Sequence, residues 1–172
     1  SSFSTPNKVL AIFKIPLPSL VNWSGLVLAL DSINDPGNLG TIIRLCDWFG
    51  ITDLVCSETT VDCYNSKVVQ SSMGSHSRVN ITYLDLEATL ADSKLCYGTF
   101  MGGASIYEHE LPKTGVIVMG NEANGISKEI ESLITVRLSI PRFGSLKQTE
   151  SLNVANAAAI ILSEFKRNIT EK

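Results

Sequence analysis

The sequence of 172 residues has few charges, few histidines and no long apolar run. Charged residues make up 18% of the chain, and the net charge of −3 gives no overall attraction for nucleic acid, so an RNA-binding surface has to be a local patch. No apolar stretch is long enough to span a membrane and no signal peptide is recognisable, so we expect no membrane partner. The two histidines, His76 and His109, lack ligand-spaced neighbours, and we expect no metal.

The four cysteines form no CxxC pair; they are Cys46, Cys56, Cys63 and Cys96. We expect buried free thiols, which suit a reducing cytosol, and therefore a cytoplasmic protein. Hydrophobic residues, by contrast, make up 44% of the chain, which is enough for one domain with a real core.

Short apolar runs alternate with helical patterns along the chain. The predicted strands are 8–14, 26–30, 53–56, 79–84, 95–101, 116–119 and 134–140. The predicted helices are 38–49, with Asn38 as its N-cap, 65–72, 85–93 and 150–167. This alternation favours an α/β fold with a mostly parallel sheet flanked by helices.

Residues 21–172 contain no linker-like stretch, and we interpret them as one domain. Residues 1–20 are expected to be an N-terminal extension or the remnant of a linker, because Pro16 and Pro18 interrupt the first apolar run. The chain opens at Ser1 rather than Met, so we expect that something once preceded it.

The first candidate site residues lie on the first long predicted helix. Gly40 and Arg44 are spaced at i and i+4 and share a helix face. A glycine costs about 1 kcal/mol relative to alanine there, but it leaves room for Arg44 to lie towards the start of the helix. A guanidinium in that place could clamp a phosphate. A surface arginine in an ordinary ion pair is an equally good hypothesis at this point.

A glycine-rich turn, Gly120 to Gly125, directly follows an apolar strand. It therefore lies at the carboxyl end of a strand, where open α/β proteins bind ligands. Its two glycines allow positive φ and a close approach of the backbone. We expect Glu122 to be buried and to hold backbone N–H groups rather than to react. An ordinary turn is the alternative hypothesis.

A third polar region, Ile140-Pro141-Arg142 and then Ser151-Leu152-Asn153, faces the same predicted edge. Serine and asparagine before a helix are most often caps. The convergence of three loops on one edge nevertheless predicts a ligand site. Arg142 and Lys147 border that edge and could meet an RNA backbone.

These three regions resemble the motifs of the SpoU (TrmH-type) RNA 2′-O-ribose methyltransferases of the SPOUT superfamily. The first motif, Asn-x-Gly-x-x-x-Arg, is similar to Asn38 through Arg44, and the second, Gly-x-Glu-x-x-Gly, to Gly120 through Gly125. The third, Ile-Pro followed by Gly and Ser-Leu-Asn-Val, is similar to Ile140-Pro141, Gly144 and 151–154. The resemblance spans nearly the whole chain.

The resemblance implies an S-adenosylmethionine-dependent enzyme that methylates a ribose 2′-hydroxyl of tRNA or rRNA, with 21–172 as its catalytic domain. It also implies a deep trefoil knot at the C-terminal end and a homodimer with the active site near the subunit interface. The residues implied to hold the cofactor, largely through backbone groups, are Phe100, Met101, Gly102, Met119, Gly120, Asn121, Glu122, Ile140, Pro141, Ser151, Leu152 and Asn153.

Roles for individual side chains follow from the same resemblance. Arg44 is implied to be the catalytic arginine, which contacts the target's phosphate and helps to deprotonate the 2′-hydroxyl. Asn38 would orient the nucleotide, and Ser151 and Asn153 would complete the site. The RNA-binding residues would be Arg44, Arg142 and Lys147. Departures from the family pattern, at Ala155, at Arg142 and in a longer loop at 144–151, leave the pocket and the substrate open.

Three other hypotheses remain open on the sequence. A SPOUT base methyltransferase is disfavoured by the combination of Asn38, Gly40 and Arg44. A knotted RNA-binding or dimerisation module without activity is disfavoured by the presence of Arg44, Glu122 and Asn153. A generic nucleotide-binding α/β protein is disfavoured by the lack of a Walker or Rossmann fingerprint.

Overall fold

The computed structural model describes residues 11–92, 95–144 and 151–167. Six strands in these residues form one parallel sheet in the order β3-β2-β1-β5-β4-β6, and the prediction of a mostly parallel α/β sheet is confirmed. The strands are β1 (Leu26–Asp31), β2 (Asp53–Cys56), β3 (Asn80–Tyr83), β4 (Cys96–Ser105), β5 (Gly115–Gly120) and β6 (Val136–Ser139). The helices are α1 (Pro36–Trp48), α2 (Ser66–Ser71), α3 (Leu86–Ala91), α4 (Lys128–Glu131) and α5 (Val154–Arg167).

The order of the strands reverses between β1 and β5. The chain moves from β1 outwards to β2 and β3, then crosses over so that β5 pairs with β1 from Leu26↔Gly115 to Asp31↔Gly120. In open parallel sheets a crevice forms outside the carboxyl ends of the strands at such a reversal. The ends of β1 and β5, at Asp31 and Gly120, are therefore the expected place for a ligand.

Apolar side chains fill both faces of the sheet. Successive residues of a strand point to opposite faces, so Leu28 of β1 joins one buried cluster with Ile42 of α1 and Ile161 of α5. The next residue, Ala29, joins a second buried cluster with Leu86 of α3. All six residues of β1 are buried, as expected for a strand covered on both faces.

In the part of the chain that the structure describes, no helix is long and apolar enough to cross a bilayer.

The first predicted strand is wrong where the structure describes it. Residues 11–14 have no regular structure, and the rest of the predicted strand, 8–10, lies outside the described residues. Ile12 is 92% exposed and Phe13 83% exposed. An apolar run forms a strand only where another strand pairs with it, and none of the six described strands pairs with residues 11–14.

Helix α1 begins two residues before its predicted start, and Asn38 is not its N-cap. The carboxylate of Asp35 accepts a hydrogen bond from the backbone N–H of Asn38 at 2.8 Å and caps the helix. Pro36 occupies the first turn, where its fixed φ is already helical. The side chain of Asn38 is therefore left to make other contacts.

Helix α5 and strand β4 differ by more than two residues from their predicted bounds, and one helix was not predicted. Helix α5 begins at Val154 instead of 150, because 151–153 are not helical; residue 150 lies outside the described residues. The short helix α4 has no counterpart in the prediction. Strand β4 continues to Ser105 through a bulge, since Thr99 and Ala104 both pair with Leu138. Residues 100–103 are consequently extruded from the sheet.

Candidate active site

A polar pocket of about 520 Å³ lies at the carboxyl ends of β1 and β5, as expected for this topology. The loop after β1 and the start of α1 form one wall, the turn after β5 forms another, and the residue before α5 closes it. The lining residues are Asn34, Asp35, Asn38, Asn121, Glu122, Ala123 and Asn153. Each of the three regions that sequence analysis singled out thus contributes at least one residue to this pocket, namely Asn38, Glu122 with Asn121, and Asn153.

The side chain of Asn38 joins these three regions directly. Its Nδ2 donates a hydrogen bond to Oε1 of Glu122 at 2.7 Å, across 84 residues of sequence. Its Oδ1 accepts one from Nδ2 of Asn153 at 2.9 Å, across 115 residues. One amide therefore connects the first helix, the glycine-rich turn and the last helix.

Glu122 is exposed, which corrects the expectation of a buried carboxylate that holds backbone N–H groups. Its neighbour Asn121 accepts hydrogen bonds from the backbone N–H groups instead. Oδ1 of Asn121 accepts from the N–H groups of Ala123 at 2.8 Å and Asn124 at 3.2 Å, and its Nδ2 donates to the carbonyl of Ser32 at 2.7 Å. The Glu122 carboxylate is thus left to face the pocket and Asn38.

The glycine at the start of the turn is required by a close backbone approach. A Cβ on Gly120 would lie 2.2 Å from the backbone N of Ile126, a distance that real Cβ atoms do not reach. Asn121 and Gly125 form a two-way backbone bridge, at 2.9 and 2.8 Å, which closes the turn over Gly120. Gly125 itself has a φ of +70°, a conformation that favours glycine.

Asn153 serves as a helix cap and as a site residue at once. Its Oδ1 accepts from the N–H groups of Ala155 at 2.9 Å and Asn156 at 3.2 Å at the start of α5. Its Nδ2 remains to donate to Asn38. Ser151 and Leu152, which precede it, are exposed and do not line the polar pocket.

Gly40 serves the packing of α2 rather than making room for Arg44, which corrects the sequence-based hypothesis. A Cβ at Gly40 would lie 1.9 Å from Oγ of Ser71 and 2.8 Å from the carbonyl oxygen of Val68, both on α2. The space that the glycine leaves is therefore filled by the neighbouring helix, and Gly40 is buried.

Arg44 does not line the pocket of its own chain. It lies six residues beyond Asn38 on α1, which is about 9 Å along the helix and about 120° around it. Its side chain is exposed, and none of the residues that the structure describes gives it a hydrogen bond or an ion pair. Among the described residues the guanidinium of Arg44 therefore has no partner, and it does not line the pocket around Asn38.

A second concave region, of about 510 Å³, lies at the ends of β4 and β6. It is lined by Gly103, Ser105, Tyr107, Glu108, Ser139, Pro141 and Phe143. Of these, the family resemblance implied Gly103, as the end of a cofactor loop at 100–103, and Pro141. The pair Gly102-Gly103 at the end of an apolar strand was the one signal for the others, because consecutive glycines mark a place where a ligand or another backbone approaches closely.

The other residues implied to bind the cofactor have varied surroundings. Met119 is buried in the core at 1% exposure, so only its backbone can face a ligand. Phe100 lies beneath the guanidinium of Arg137, 3.6 Å from its ring centroid, while Met101 and Gly102 are exposed in the extruded segment of β4. Ile140 is half-buried directly after β6.

The two proposed RNA-contacting residues beyond Arg44 follow β6 in the sequence. Arg142 is exposed and is engaged with a neighbouring group. Lys147 lies outside the described residues.

Within the described ranges, no cluster of three His, Cys, Asp or Glu side chains could hold a metal ion.

Comparison with known proteins identifies the class that this fold and site define. The model of the SpoU rRNA Methylase family matches residues 25–163, and the chain therefore belongs to this family. Among curated proteins it is 33% identical over 168 residues to the 23S rRNA (guanosine(2553)-2′-O)-methyltransferase RlmP of Bacillus subtilis, covering 94% of this chain and 66% of that protein. It is 34% identical over 148 residues to the 23S rRNA (guanosine-2′-O-)-methyltransferase RlmB of Neisseria meningitidis, covering 83% and 58%.

Solved structures give the same family. A TrmH-family protein from Porphyromonas gingivalis matches with a TM-score of 0.89 and 42% identity, over 97% of this chain and 69% of that one. The SpoU methyltransferase AviRb from Streptomyces viridochromogenes, solved in complex with AdoMet, matches with a TM-score of 0.77 and 30% identity, over 91% and 66%. The chain spans 66% and 58% of the length of the two curated relatives.

Proposed function

We propose that the chain transfers a methyl group from S-adenosylmethionine to a ribose 2′-hydroxyl of tRNA or rRNA. The observation that carries the proposal is the Asn38 bridge, because it brings one side chain from each of the three motifs into a single pocket. The names of the curated relatives support 2′-O-methylation over methylation of a base.

The two concave regions suit a reaction between two ligands. The region at β4 and β6 offers aromatic faces at Tyr107 and Phe143, whose ring centroids lie 6.4 Å apart, and a carboxylate at Glu108. Aromatic faces suit an adenine ring and a carboxylate suits ribose hydroxyls or a sulfonium charge, so these residues fit S-adenosylmethionine. When bound, this cofactor supplies an electrophilic methyl group.

The cofactor-binding residues carried by the family motifs lie between and around these regions. We infer that these residues bind S-adenosylmethionine largely through the backbone groups of 100–102, 119–122, 140–141 and 151–153. Residues 100–102 belong to the extruded segment of β4. The knot that the family resemblance implies at the C-terminal end would bring these loops around one molecule. AviRb, whose structure was solved in complex with AdoMet, supports S-adenosylmethionine as the cofactor.

A 2′-hydroxyl is a weak nucleophile, so positioning and removal of its proton have to supply most of the rate enhancement. In our proposal the amide of Asn38, fixed on both sides by Glu122 and Asn153, orients the target nucleotide. The guanidinium of Arg44 clamps the adjacent phosphate, and a phosphate oxygen takes the proton of the hydroxyl. Arginine stays charged near neutral pH and does not take that proton itself.

The position of Arg44 supports a homodimer with a shared site. Arg44 is exposed, does not line the pocket of its own chain and has no partner among the described residues. We propose that Arg44 of one subunit reaches the Asn38 pocket of the other. Mixing Arg44→Ala and Asn38→Ala chains tests this: a mixed dimer then has one intact site and regains activity. If the site lies within one chain, the mixture stays inactive.

The remaining assignments belong to the same proposal. Residues 21–172 form the catalytic domain, and 1–20 extend from it. Arg142 and Lys147 contact the RNA backbone, and Ser151 completes the site. The protein acts in the cytoplasm, where its RNA substrate and S-adenosylmethionine meet.

Calorimetry and RNA mapping test the proposal together. S-adenosylmethionine should bind the purified chain, with the same affinity for Arg44→Ala as for the wild type. Total RNA from cells that lack the full-length protein should lose 2′-O-methylation at one or more positions, and re-expression should restore it. Absence of cofactor binding together with an unchanged methylation map would overturn the proposal.

A further inference from the structure

We propose that the buried carboxylate of Asp31, which lies beneath the polar pocket without lining it, is a positioning residue for the reaction. Asp31 is the last residue of β1 and pairs in register with Gly120, the last residue of β5. Its exposure is 5%. The inference rests on the proposed function, because it concerns the geometry of that same pocket.

The carboxylate of Asp31 connects the loop that leads to α1, the helix of Asn38, with the turn that carries Glu122. Its Oδ1 accepts from the hydroxyl of Ser32 at 3.1 Å, in the loop that leads to α1. Its Oδ2 accepts from the N–H of Ser127 at 2.7 Å, at the end of the turn that contains Glu122. One buried group thus fixes the separation of two walls of the pocket.

The first of these loops is held in an uncommon backbone conformation. Ser32 has a φ of +60°, which non-glycine residues adopt at a cost. Its N–H donates to Oγ of Ser57 at 2.9 Å, and its hydroxyl lies 2.7 Å from Oγ1 of Thr59. Its carbonyl accepts from Nδ2 of Asn121 at 2.7 Å. Asp31 therefore acts within a network that fixes both loops.

Loss of the carboxylate leaves the Ser127 N–H without its acceptor and removes one link between the walls. The walls then move relative to each other, and the 2.7 Å hydrogen bond between Asn38 and Glu122 weakens. Reacting groups need close positioning, so transfer slows even though Asp31 does not touch the ligands.

Asp53 is a matched control. It is also buried, at 4% exposure, and its carboxylate also accepts two hydrogen bonds, from Nδ2 of Asn80 and Oγ1 of Thr52, both at 2.8 Å. It lies at the start of β2, at the opposite edge of the sheet from the pocket. Asp53→Ala should lower the melting temperature, as Asp31→Ala does. It should leave the contacts within the pocket unchanged.

The direct test is the side-chain amide signal of Asn38 in the ¹⁵N-labelled chain, assigned by its absence in Asn38→Ala. In Asp31→Ala this signal should shift, and its hydrogen exchange should accelerate about five- to tenfold. In Asp53→Ala it should stay as in the wild type. Asp31→Asn should also stay close to the wild type, since its Oδ1 can accept from Ser127 and its Nδ2 can donate to the hydroxyl oxygen of Ser32.

An unchanged Asn38 signal in Asp31→Ala would overturn the inference, and so would an equal change in Asp53→Ala. Should Asp31→Ala fail to fold, Ser127→Pro replaces it. Ser127 has a φ of −61°, which proline adopts, and this variant replaces the N–H that donates to Asp31 with a ring carbon, so it breaks the same link between the walls.

Methyl transfer gives a second readout. Asp31→Ala should lower kcat with little change in the KM for S-adenosylmethionine, and it should lower kcat far less when Glu122→Ala is already present. Equal effects in both backgrounds would mean a merely structural role. If the wild type transfers no methyl group, the proposed function fails, and the Asn38 signal still decides the role of Asp31.

Discussion

The amide of Asn38 and the carboxylate of Glu122 form a 2.7 Å hydrogen bond that fixes the orientation of Asn38 in the pocket. An ionised carboxylate only accepts hydrogen bonds, so Nδ2 of Asn38 has to face Glu122. Its Oδ1 consequently faces Asn153, whose Nδ2 donates to it at 2.9 Å. The pocket thus presents the amide of Asn38 in one defined orientation.

Exchanging donor and acceptor tests this hydrogen bond. Asn38→Asp places two carboxylates together, and it should lower the free energy of unfolding by about 1 kcal/mol and slow methyl transfer at least about tenfold. Glu122→Gln should have little effect on stability, because its Oε1 still accepts. The double variant restores a hydrogen bond with the roles exchanged. Urea unfolding should show it to be more stable than Asn38→Asp, and equal stability would contradict the assigned geometry.

Gly40→Ala should destabilise the protein although alanine is the better helix former. The gain in helix propensity is about 1 kcal/mol. The new Cβ would meet Oγ of Ser71 at 1.9 Å and the carbonyl oxygen of Val68 at 2.8 Å, and such overpacking costs about 1–3 kcal/mol or more. Urea denaturation measures the net loss. Ser71→Ala in the same chain should recover part of it, and a more stable Gly40→Ala protein would show that α1 and α2 are not packed this closely.

The ion pair between Asp47 and Arg78 predicts a pH-dependent contribution to stability. Hydrogen bonds from Arg78 and Ser75 hold the pKa of Asp47 below its ordinary value. A carboxyl group with a lowered pKa in the folded state stabilises it at pH values above the unfolded pKa of about 4, and the contribution disappears as the pH falls through the folded pKa. The melting temperature of Arg78→Ala should therefore lie below that of the wild type at pH 7.

That difference should close as the pH falls below about 4. Thermal unfolding between pH 7 and pH 2.5 measures it. Arg44→Ala is the control, because Arg44 has no described partner. Its melting temperature should differ from that of the wild type by the same amount at every pH. A gap between Arg78→Ala and the wild type that is constant over the whole range would contradict the role of the pair.

The four free thiols should resist modification in the folded protein. Cys46, Cys56, Cys63 and Cys96 are all buried. Burial raises the pKa of the Cys46, Cys56 and Cys63 thiols, so little of the reactive thiolate forms near pH 8. A thiol reagent should react slowly in buffer and should titrate all four in urea. Fast reaction of any of them in buffer would show that its surroundings are open.

The sheet and the location of the site could be predicted from the sequence, because both depend on local patterns. Continuous apolar runs predicted the inner strands. The turn after Met119 follows one of these runs directly, so it was expected at the carboxyl end of a strand. The same rule failed for 11–14, where an apolar run has no partner strand in the described residues. The N-cap of α1 could also have been found, since Asp35-Pro36 is a stronger start signal than Asn38.

The contacts within the site could not be predicted, because they join distant parts of the chain. Nothing near Glu122 indicates that its partner is Asn38, 84 residues earlier, and its exposure depends on how Asn121 folds the turn. Gly40 is needed because α2 packs against it, and this contact exists only in the folded protein. The role of Asp31 was missed for the same reason, since Ser127 lies 96 residues away.

The most direct test of the central claim is the chemical identity of the product on RNA. The chain should be incubated with RNA and methyl-labelled S-adenosylmethionine, and the RNA then hydrolysed with alkali. A 2′-O-methyl group blocks cleavage, so label should appear in alkali-resistant dinucleotides, and Arg44→Ala should yield none while still binding the cofactor. Label in a methylated base, or equal label with Arg44→Ala, would contradict the account.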